Sequence, residues 1–222
     1  MRAATYNTST GRWVKDICLP ANQRDCNSCW AIATCQCMSD RLRLQRKIGM
    51  SDQLNYYAFF DYMYDHDPSV GSCNQGAYDN TGRIESVDVG APLFSVAPDS
   101  HFGVPEYRGD RLLYHYKARS WYKLDTPEAI KSDLDHNGSV TCIIALYNSW
   151  MNHMGLGIYT PRPNEQPNGE LHMISIVGYD NNDGSWIVRN SYGSNWGSQG
   201  FTKIKQTDQK LNVLNSVYAP VV

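Results

Sequence analysis

The pattern of apolar residues changes near residue 125, and this change limits the folds open to the chain more than any other feature. Before it, residues 28–46 carry apolar side chains at helical spacing, and shorter helices are predicted over 52–64 and 78–89. After it, apolar or β-branched segments bounded by Gly, Asn and Asp predict strands at 139–147, 171–179, 185–190 and 200–205. Helices followed by strands favour an α+β protein with two lobes, and ligands usually bind in the cleft between lobes.

The segment that joins the two halves contains one clear helix signal. Residues 90–125 mix Gly, Pro, Ser and isolated aromatic residues, which is typical of irregular loops. Thr126 then suits a helix N-cap with Pro127 at the first helical position, and Asn137-Gly138 suits the end of that helix. A further helix is therefore predicted just before the strand-rich half.

Composition excludes several classes of protein. The 222 residues are enough for one large domain or two lobes that share a core. The net charge of −2 gives no support for nucleic-acid binding or for attachment to a membrane surface. No apolar run reaches the roughly 18 residues of a membrane span, and the first residues lack the apolar stretch of a secretory leader.

The chain has seven cysteines, so at least one must be free, metal-bound or reactive. Cys26 and Cys29 have the spacing of zinc ligands, and Cys35 and Cys37 follow them. The second pair lies on a predicted helix, where residues two apart point to different faces, and no histidine follows at zinc-finger spacing. We therefore expect no metal and no other cofactor.

Three residues together could perform nucleophilic catalysis. Cys29 begins the first predicted helix, where the helix dipole favours a thiolate, although a buried structural cysteine is the ordinary alternative. His172 opens an apolar strand and Asn190 ends the next one, and each alone is most simply a polar strand or turn residue. Taken with Cys29, they supply a nucleophile, a base and an orienting amide.

Four segments resemble the papain-like cysteine proteases. Residues 23–31 match the family's Gln-x-x-Cys-Gly-Ser-Cys-Trp-Ala, with Asn27 in place of the glycine. Residues 190–200 match its Asn-Ser-Trp-Gly-x-x-Trp-Gly-x-x-Gly, with tyrosine for the first tryptophan. The histidine strand at 172–179 and the Cys-Asn-Gln-Gly at 73–76 are similar to two further family segments.

The resemblance covers the whole chain and implies a two-lobed papain-like fold. A helical N-terminal lobe is expected at about 18–110 and an antiparallel, β-barrel-like lobe at about 111–222. The segment 1–17 is expected to cross onto the second lobe, with the active-site cleft between the lobes.

Within the family, the sequence is most similar to cathepsin B. Residues 38–41 match that branch's Ile-Ser-Asp-Arg, with methionine in place of the isoleucine. The two histidines of its occluding loop are not recognisable, since His101 stands alone in a stretch without cysteines. The expected activity is therefore that of an endopeptidase, not of an enzyme that removes dipeptides from C-termini.

The resemblance also implies catalytic roles. Cys29 attacks the scissile carbonyl to form a thioester acyl-enzyme, and His172 pairs with it as thiolate and imidazolium. Asn190 orients the imidazole, and the Gln23 side chain and the Cys29 N–H form the oxyanion hole. Trp196 is expected to line the cleft and to shield the bond between His172 and Asn190 from water.

Further residues are expected to contact the substrate. The backbone at Gly76 pairs with an extended substrate, and Gln75 and Asn27 lie beside it where the family has glycines. Asn27 tolerates a left-handed backbone better than most residues, so the turn next to Cys29 is expected to persist. Leu171 and Met173 flank His172 and would favour an apolar or aromatic substrate residue.

The resemblance pairs Cys26 with Cys73 in a disulfide and leaves Cys29 free. It does not decide whether the remaining cysteines pair or stay as buried thiols; these are Cys18, Cys35, Cys37 and Cys142. A disulfide favours a lysosome-like, extracellular or virion-associated setting over the reducing cytosol.

The expected partners are a peptide or protein substrate, a propeptide and a cystatin-like inhibitor, and the chain is expected to be a monomer. Two other functions use the same residues. One is a catalytically silent peptide-binding protein, and the other is a peptide ligase or acyl transferase on the same scaffold.

Overall fold

The structure is a computed structural model that describes residues 11–66, 73–78, 80–96, 114–155 and 157–222. The helices in these ranges are α1 (Cys29–Leu44), α2 (Tyr56–His66), α3 (Thr81–Asp88), α4 (Pro127–His136) and α5 (Asn148–Met151), and a 3-10 turn covers Val213–Asn215. The strands are β1 (Arg12–Trp13), β2 (Ser120–Lys123), β3 (Val140–Ala145), β4 (Ile158–Tyr159), β5 (Leu171–Asp180), β6 (Ser185–Arg189), β7 (Phe201–Lys205) and β8 (Val217–Val221).

The strands form one sheet in the order β2-β8-β3-β5-β6-β7-β4, and β1 pairs with β5 outside this path. Neighbouring strands are antiparallel, except that β4 and β7 run parallel at one edge of an open sheet. The β1 segment crosses β5 at Gly178, where a side chain would collide with the carbonyl oxygen of Arg12. Residues 12–13 are thereby held against the strand that begins with Leu171 and His172.

Helix α1 is buried along almost its whole length, including its charged residues. Asp40 accepts hydrogen bonds from the Cys18 N–H at 2.6 Å and the Ser139 hydroxyl at 2.5 Å, and it pairs with Arg189 Nη2 at 3.0 Å. The neighbouring Arg41 forms an ion pair with Asp133 of α4. The helix that begins at Cys29 is therefore fixed to the sheet and to α4 by charged groups near its other end.

Two large apolar clusters form the core. One lies around α1 and α2 and includes Trp30 and Phe59, and the other lies between α4 and the sheet and includes Ile130 and Trp186. This arrangement is an α+β fold with a helical lobe and a sheet lobe. Among the described helices, none is both long and apolar enough to cross a membrane.

Most predicted elements are confirmed, and the start of α4 is confirmed in detail. The Thr126 side chain accepts a hydrogen bond from the Ala129 N–H at 3.2 Å, and Pro127 is the first helical residue. The prediction that 90–125 is irregular is wrong at β2, and the sequence did not indicate β1, β4, β8 or α5. His101 lies outside the described residues, as do residues 1–10 of the predicted crossing segment.

Candidate active site

Cys29 is the first residue of α1, with Ser28 at the N-cap position. Its thiol lies among backbone groups of Met173, Trp30 and Cys29 itself, whose hydrogen bonds favour the thiolate. Burial acts in the opposite direction and raises the pKa of the thiol above its ordinary value. The helix start thus supplies the hydrogen-bond donors that a thiolate needs, and these act against the effect of burial on the pKa.

The segment before Cys29 is joined to the loop after β6. The Gln23 N–H donates to the Ser191 carbonyl at 2.7 Å, and the Gly193 N–H donates to the Ala21 carbonyl at 2.9 Å. The buried Gln23 side chain is held at both ends of its amide. Its Oε1 accepts from the Ser191 hydroxyl at 2.6 Å, and its Nε2 donates to the Cys26 carbonyl at 3.0 Å. Since the amide nitrogen has two hydrogens, one remains for another acceptor in the cleft.

His172 lies at the start of β5, opposite Ile144 of β3, and is buried. Its Nε2 lies 2.7 Å from Asn190 Oδ1, which also accepts a hydrogen bond from the Ser191 N–H at 2.8 Å. Because Oδ1 is an acceptor in both contacts, the imidazole must carry a hydrogen on Nε2. The lone pair of the neutral ring is therefore on Nδ1, the nitrogen available to take a proton.

Burial of His172 lowers the pKa of its imidazole to about 4, and the hydrogen bond to Asn190 acts in the opposite direction. Burial alone therefore favours the neutral forms of both Cys29 and His172. Moving one proton from the thiol to the imidazole creates two opposite charges together. The attraction between them offsets part of the free-energy cost of desolvating each one.

The ring that covers His172 is that of Tyr192, with the two ring centroids 4.9 Å apart and an interplanar angle of 35°. Trp196 does not fill this position, which corrects the expectation that it shields the bond between His172 and Asn190. Trp196 packs behind Tyr192 with centroids 6.0 Å apart, and its indole N–H donates to the Trp150 carbonyl at 2.8 Å. The tyrosine that replaces a family tryptophan is thus the residue next to the imidazole.

Cys26 and Cys73 form a disulfide, as the resemblance implied. The Asn27 N–H donates to the Cys73 carbonyl at 2.9 Å, and its side-chain amide donates to the Asn74 carbonyl at 3.1 Å. Asn27 is not among the described residues with positive φ. The turn therefore does not require a left-handed backbone at this position, where the family has glycine. Gly76 does adopt a positive φ of 69°, and a side chain there would lie within 3.3 Å of Asn27 Cβ.

The other cysteines that the sequence left open are buried free thiols; they are Cys18, Cys35, Cys37 and Cys142. Cys29 is also free and is partly accessible. Among the described residues, no group of three or more His, Cys, Asp or Glu side chains is arranged to hold a metal ion.

A cleft of about 1050 Å³ brings most of the expected site residues together. Those that line it are Gln23, Asn27, Cys29, Gln75, Gly76, Leu171, His172, Met173 and Trp196. Asn190 does not line the cleft, because it is buried behind His172.

Two residues at the site were not assigned these roles from the sequence, namely Ser191 against Gln23 and Tyr192 against His172. Both residues belong to the segment beginning at Asn190 that matches the family motif. That match is the sequence signal that could have identified them.

Comparison with known proteins places this fold and cleft in a family. The family described as papain family cysteine protease matches residues 9–221. The chain is 26% identical to a gut-specific cysteine proteinase of Caenorhabditis elegans, over 97% of this chain and 72% of that protein. It is 25% identical to cathepsin B-like cysteine proteinase 2 of Haemonchus contortus, over 90% of this chain and 68% of that protein.

Solved structures show the same fold at lower identity. Procathepsin B of Trypanosoma congolense aligns with a TM-score of 0.78 at 18% identity, over 94% of this chain and 73% of that one. A digestive procathepsin L of Tenebrio molitor aligns with a TM-score of 0.76 at 20% identity, over 97% of this chain and 68% of that one. Because the family match spans residues 9–221, the chain belongs to the papain family of cysteine proteases, hydrolases that act on peptide bonds.

Proposed function

We propose that this cysteine peptidase cleaves internal peptide bonds through Cys29, His172 and Asn190. The observation that carries the proposal is the 2.7 Å contact between His172 Nε2 and Asn190 Oδ1, which leaves Nδ1 free as a proton acceptor in the cleft that Cys29 lines. A side-chain amide cannot take the proton itself, so Asn190 fixes the tautomer and orientation of the ring.

The resting pair is proposed to be thiolate and imidazolium. The backbone hydrogen bonds around the Cys29 sulfur and the hydrogen bond from His172 to Asn190 both favour charged forms. The attraction between the thiolate and the buried imidazolium supplies the remaining stabilisation. We therefore expect an acidic to neutral pH optimum.

In the proposed reaction, the Cys29 sulfur forms a bond to the scissile carbonyl carbon, and the carbonyl oxygen becomes an oxyanion. The second amide hydrogen of Gln23 and the Cys29 N–H stabilise that oxygen. His172 gives its proton to the leaving nitrogen as the C–N bond breaks, which leaves a thioester. His172 then takes a proton from water, and the oxygen of that water forms a bond to the thioester carbonyl carbon. The C–S bond breaks, which releases the acid and leaves the Cys29 thiolate beside the imidazolium.

The acyl part of the substrate is proposed to lie along the wall formed by Gly76, Gln75 and Asn27. On the opposite wall, Met173 and Ile143 face the helical lobe, and the exposed Leu171 stands beside them. These side chains would favour an apolar or aromatic residue on the acyl side of the scissile bond.

The wider assignments are also proposals. The helical lobe would comprise about residues 18–110 and the sheet lobe about 111–222. In the segment 1–17, the described residues of β1 pair with β5 of the sheet. A propeptide or a cystatin-like inhibitor would occupy the cleft of a monomeric enzyme, in line with the procathepsins among the similar structures. The disulfide fits a lysosomal or secreted setting.

Labelling with a thiol-directed epoxide, located by peptide mass spectrometry, tests the nucleophile. We expect one label on Cys29 and complete loss of both label and peptidase activity in Cys29→Ala. The four buried cysteines serve as internal controls, because their thiols should stay unlabelled in the folded protein. Activity that persists in Cys29→Ala contradicts the mechanism.

The mode of cleavage needs a separate substrate. An internally quenched peptide with both ends blocked should be cut at an internal bond. Cleavage only after the C-terminus is unblocked would show an exopeptidase instead.

A further inference from the structure

Arg24 borders the cleft in a backbone conformation that arginine seldom adopts. The Cys26 N–H donates to the Gln23 carbonyl at 3.2 Å, which closes a turn with Arg24 and Asp25 at its centre. Arg24 has a φ of 51°, and Asp25 is not among the described residues with positive φ. Glycine usually fills the first central position of such a turn, because a side chain there is strained. A long charged side chain is therefore held where the backbone alone favours glycine.

The guanidinium of Arg24 has no partner among the described residues. Arg24 is exposed and lines the cleft, and its guanidinium takes part in none of the ion pairs within the described part of the chain. Its backbone, in contrast, is held, because its N–H donates to Asn22 Oδ1 at 2.9 Å. The turn thus presents a cation with unused N–H donors on a fixed support.

The attachment of this turn indicates which part of a substrate it meets. Asn22 pairs with Tyr192 in an antiparallel bridge, and the Gln23 N–H donates to the Ser191 carbonyl at 2.7 Å. Tyr192 covers His172, which in the proposed reaction protonates the leaving nitrogen. The turn is therefore on the side of the leaving segment, and the acyl segment is on the other side of the cleft.

Two carboxylates restrict where the cleft accepts a negative charge. Asp25 follows Arg24 in the turn, and Glu170 lines the cleft at the start of β5. Asn168 helps to fix the Glu170 carboxylate, since its side-chain amide donates to Oε2 at 3.2 Å. These carboxylates repel an acidic group that approaches them. Arg24 is the only lysine or arginine among the described residues that line the cleft, so it is the place for such a group.

We propose that Arg24 forms a subsite for a carboxylate within the first three residues of the leaving segment. A guanidinium binds a carboxylate through two parallel N–H···O hydrogen bonds, which a neutral side chain does not reproduce. The carboxylate belongs either to an aspartate or glutamate side chain or to the free C-terminus of a short leaving segment. The subsite affects which substrates are chosen, while Cys29 and His172 perform the chemistry. This inference rests on the proposed function.

The test uses internally quenched peptides with blocked ends that share one acyl segment. They carry glutamate or glutamine at one of the first three leaving positions. At low salt, kcat/KM at one position should be about fivefold higher for glutamate than for glutamine, and the ratio should fall towards one at high salt. Arg24→Gly suits the turn and should abolish this preference. Asp25→Asn removes a repelling charge and should increase it.

A second pair of peptides distinguishes the two sources of the carboxylate. Both peptides end at the third leaving residue, which is glutamine, and they differ only in a free or an amidated C-terminus. A preference for the free C-terminus that Arg24→Gly abolishes identifies the terminal carboxylate, and a preference confined to glutamate identifies the side chain.

Arg46→Gly is the matched control. Arg46 is also exposed and has a φ of 57°, but it does not line the cleft, so this variant should keep the wild-type preference. Binding of the same peptides to Cys29→Ala, measured by fluorescence anisotropy, tests the subsite without cleavage. The subsite is overturned if neither carboxylate is preferred in cleavage or binding, or if Arg24→Gly keeps the preference. If the wild type cleaves no peptide while Cys29→Ala still shows a preference that Arg24→Gly removes, the proposed function fails and the subsite stands.

Discussion

Asn190 controls the imidazole through a single oxygen atom. Its Oδ1 accepts from His172 Nε2 at 2.7 Å and from the Ser191 N–H at 2.8 Å, so the side-chain amide is fixed before it orients the ring. This hydrogen bond raises the pKa of His172 against the effect of burial. The bond therefore favours the imidazolium, which in the proposed reaction protonates the leaving nitrogen.

Substitution of Asn190 should move the alkaline limb of the kcat/KM profile in a defined direction. Asn190→Ala removes the bond that favours the imidazolium, so His172 loses its proton at a lower pH and the limb moves down by about one unit. Asn190→Asp places a carboxylate next to the ring, which favours the imidazolium and moves the limb to higher pH. Profiles for the two variants and the wild type, measured with one substrate, check the sign. Shifts of both variants in the same direction contradict this role.

Ser191 is proposed as a positioning residue for the proposed oxyanion hole. Its hydroxyl donates to Gln23 Oε1 at 2.6 Å and fixes the plane of that amide. Ser191→Ala should lower kcat about tenfold with little change in KM, a smaller loss than the roughly 10²–10³ of a deleted oxyanion donor in Gln23→Ala. Ser194→Ala, at an exposed position of the same loop, is the control. Equal kcat values for the two serine variants would show that Gln23 needs no such support.

Among the elements, those with local signals were predictable and those made by distant pairing were not. The cap at Thr126 and the long apolar run of β5 need only neighbouring residues. Strand β8 contains Pro220, a residue that argues against a strand. The strand forms because β2 pairs with it, and the Pro220 carbonyl accepts a hydrogen bond from Arg41 at 3.0 Å. The two-residue strands β1 and β4 exist only through their partners.

The link between α1 and β6 joins the element that carries Cys29 to the strand that leads into Asn190. Asp40 and Arg189 are fully buried and lie 3.0 Å apart, and Arg189 also donates to the Cys18 carbonyl at 3.0 Å. Arg189→Met leaves the Asp40 charge without its partner and should lower the free energy of unfolding by about 3–5 kcal/mol. Urea unfolding in the Cys29→Ala background, which prevents self-digestion, measures the loss.

The double variant Arg189→Met/Asp40→Leu is the control for that loss. It removes both charges and should recover part of the stability, since a buried pair is replaced by apolar side chains. A loss below about 1 kcal/mol in Arg189→Met alone would show that the pair is not needed to hold α1 against β6.

In the molecule as a whole, the family motifs predicted residues most of which line the cleft. The contacts between segments far apart in the chain could not be read from these motifs. Cys29 and His172 were recognised from matched segments, whereas the stacking of Tyr192 on His172 depends on how the loop after β6 packs. Trp196 belongs to the same family motif, but it packs on Tyr192 and so lies behind the ring that contacts His172. A motif therefore identifies candidate site residues, but it does not show which of two aromatic rings contacts the imidazole.

The protonation of buried His172 also makes the stability of the folded protein depend on pH, and this is seen most simply without the Cys29 thiolate. In Cys29→Ala no thiolate faces His172, so burial holds the pKa of the imidazole at about 4, below the roughly 6.5 of an unfolded chain. A folded-state pKa that is lowered means that the unfolded chain binds the proton first as pH falls. The stability that neutral His172 contributes is therefore present above about pH 6.5 and is lost as the pH falls towards 4, by up to about 3 kcal/mol.

Urea unfolding of Cys29→Ala and Cys29→Ala/His172→Gln at neutral pH and near pH 4.5 isolates the contribution of His172 to the free energy of unfolding, because the other histidines are common to both variants. The single variant should lose more stability on acidification than the double variant. In the wild type the thiolate should raise the pKa of His172, so NMR titration of the ring should show it still protonated at neutral pH. A wild-type imidazole that titrates near pH 4, as in Cys29→Ala, would show that the resting pair is neutral and that the proton moves only as the sulfur attacks.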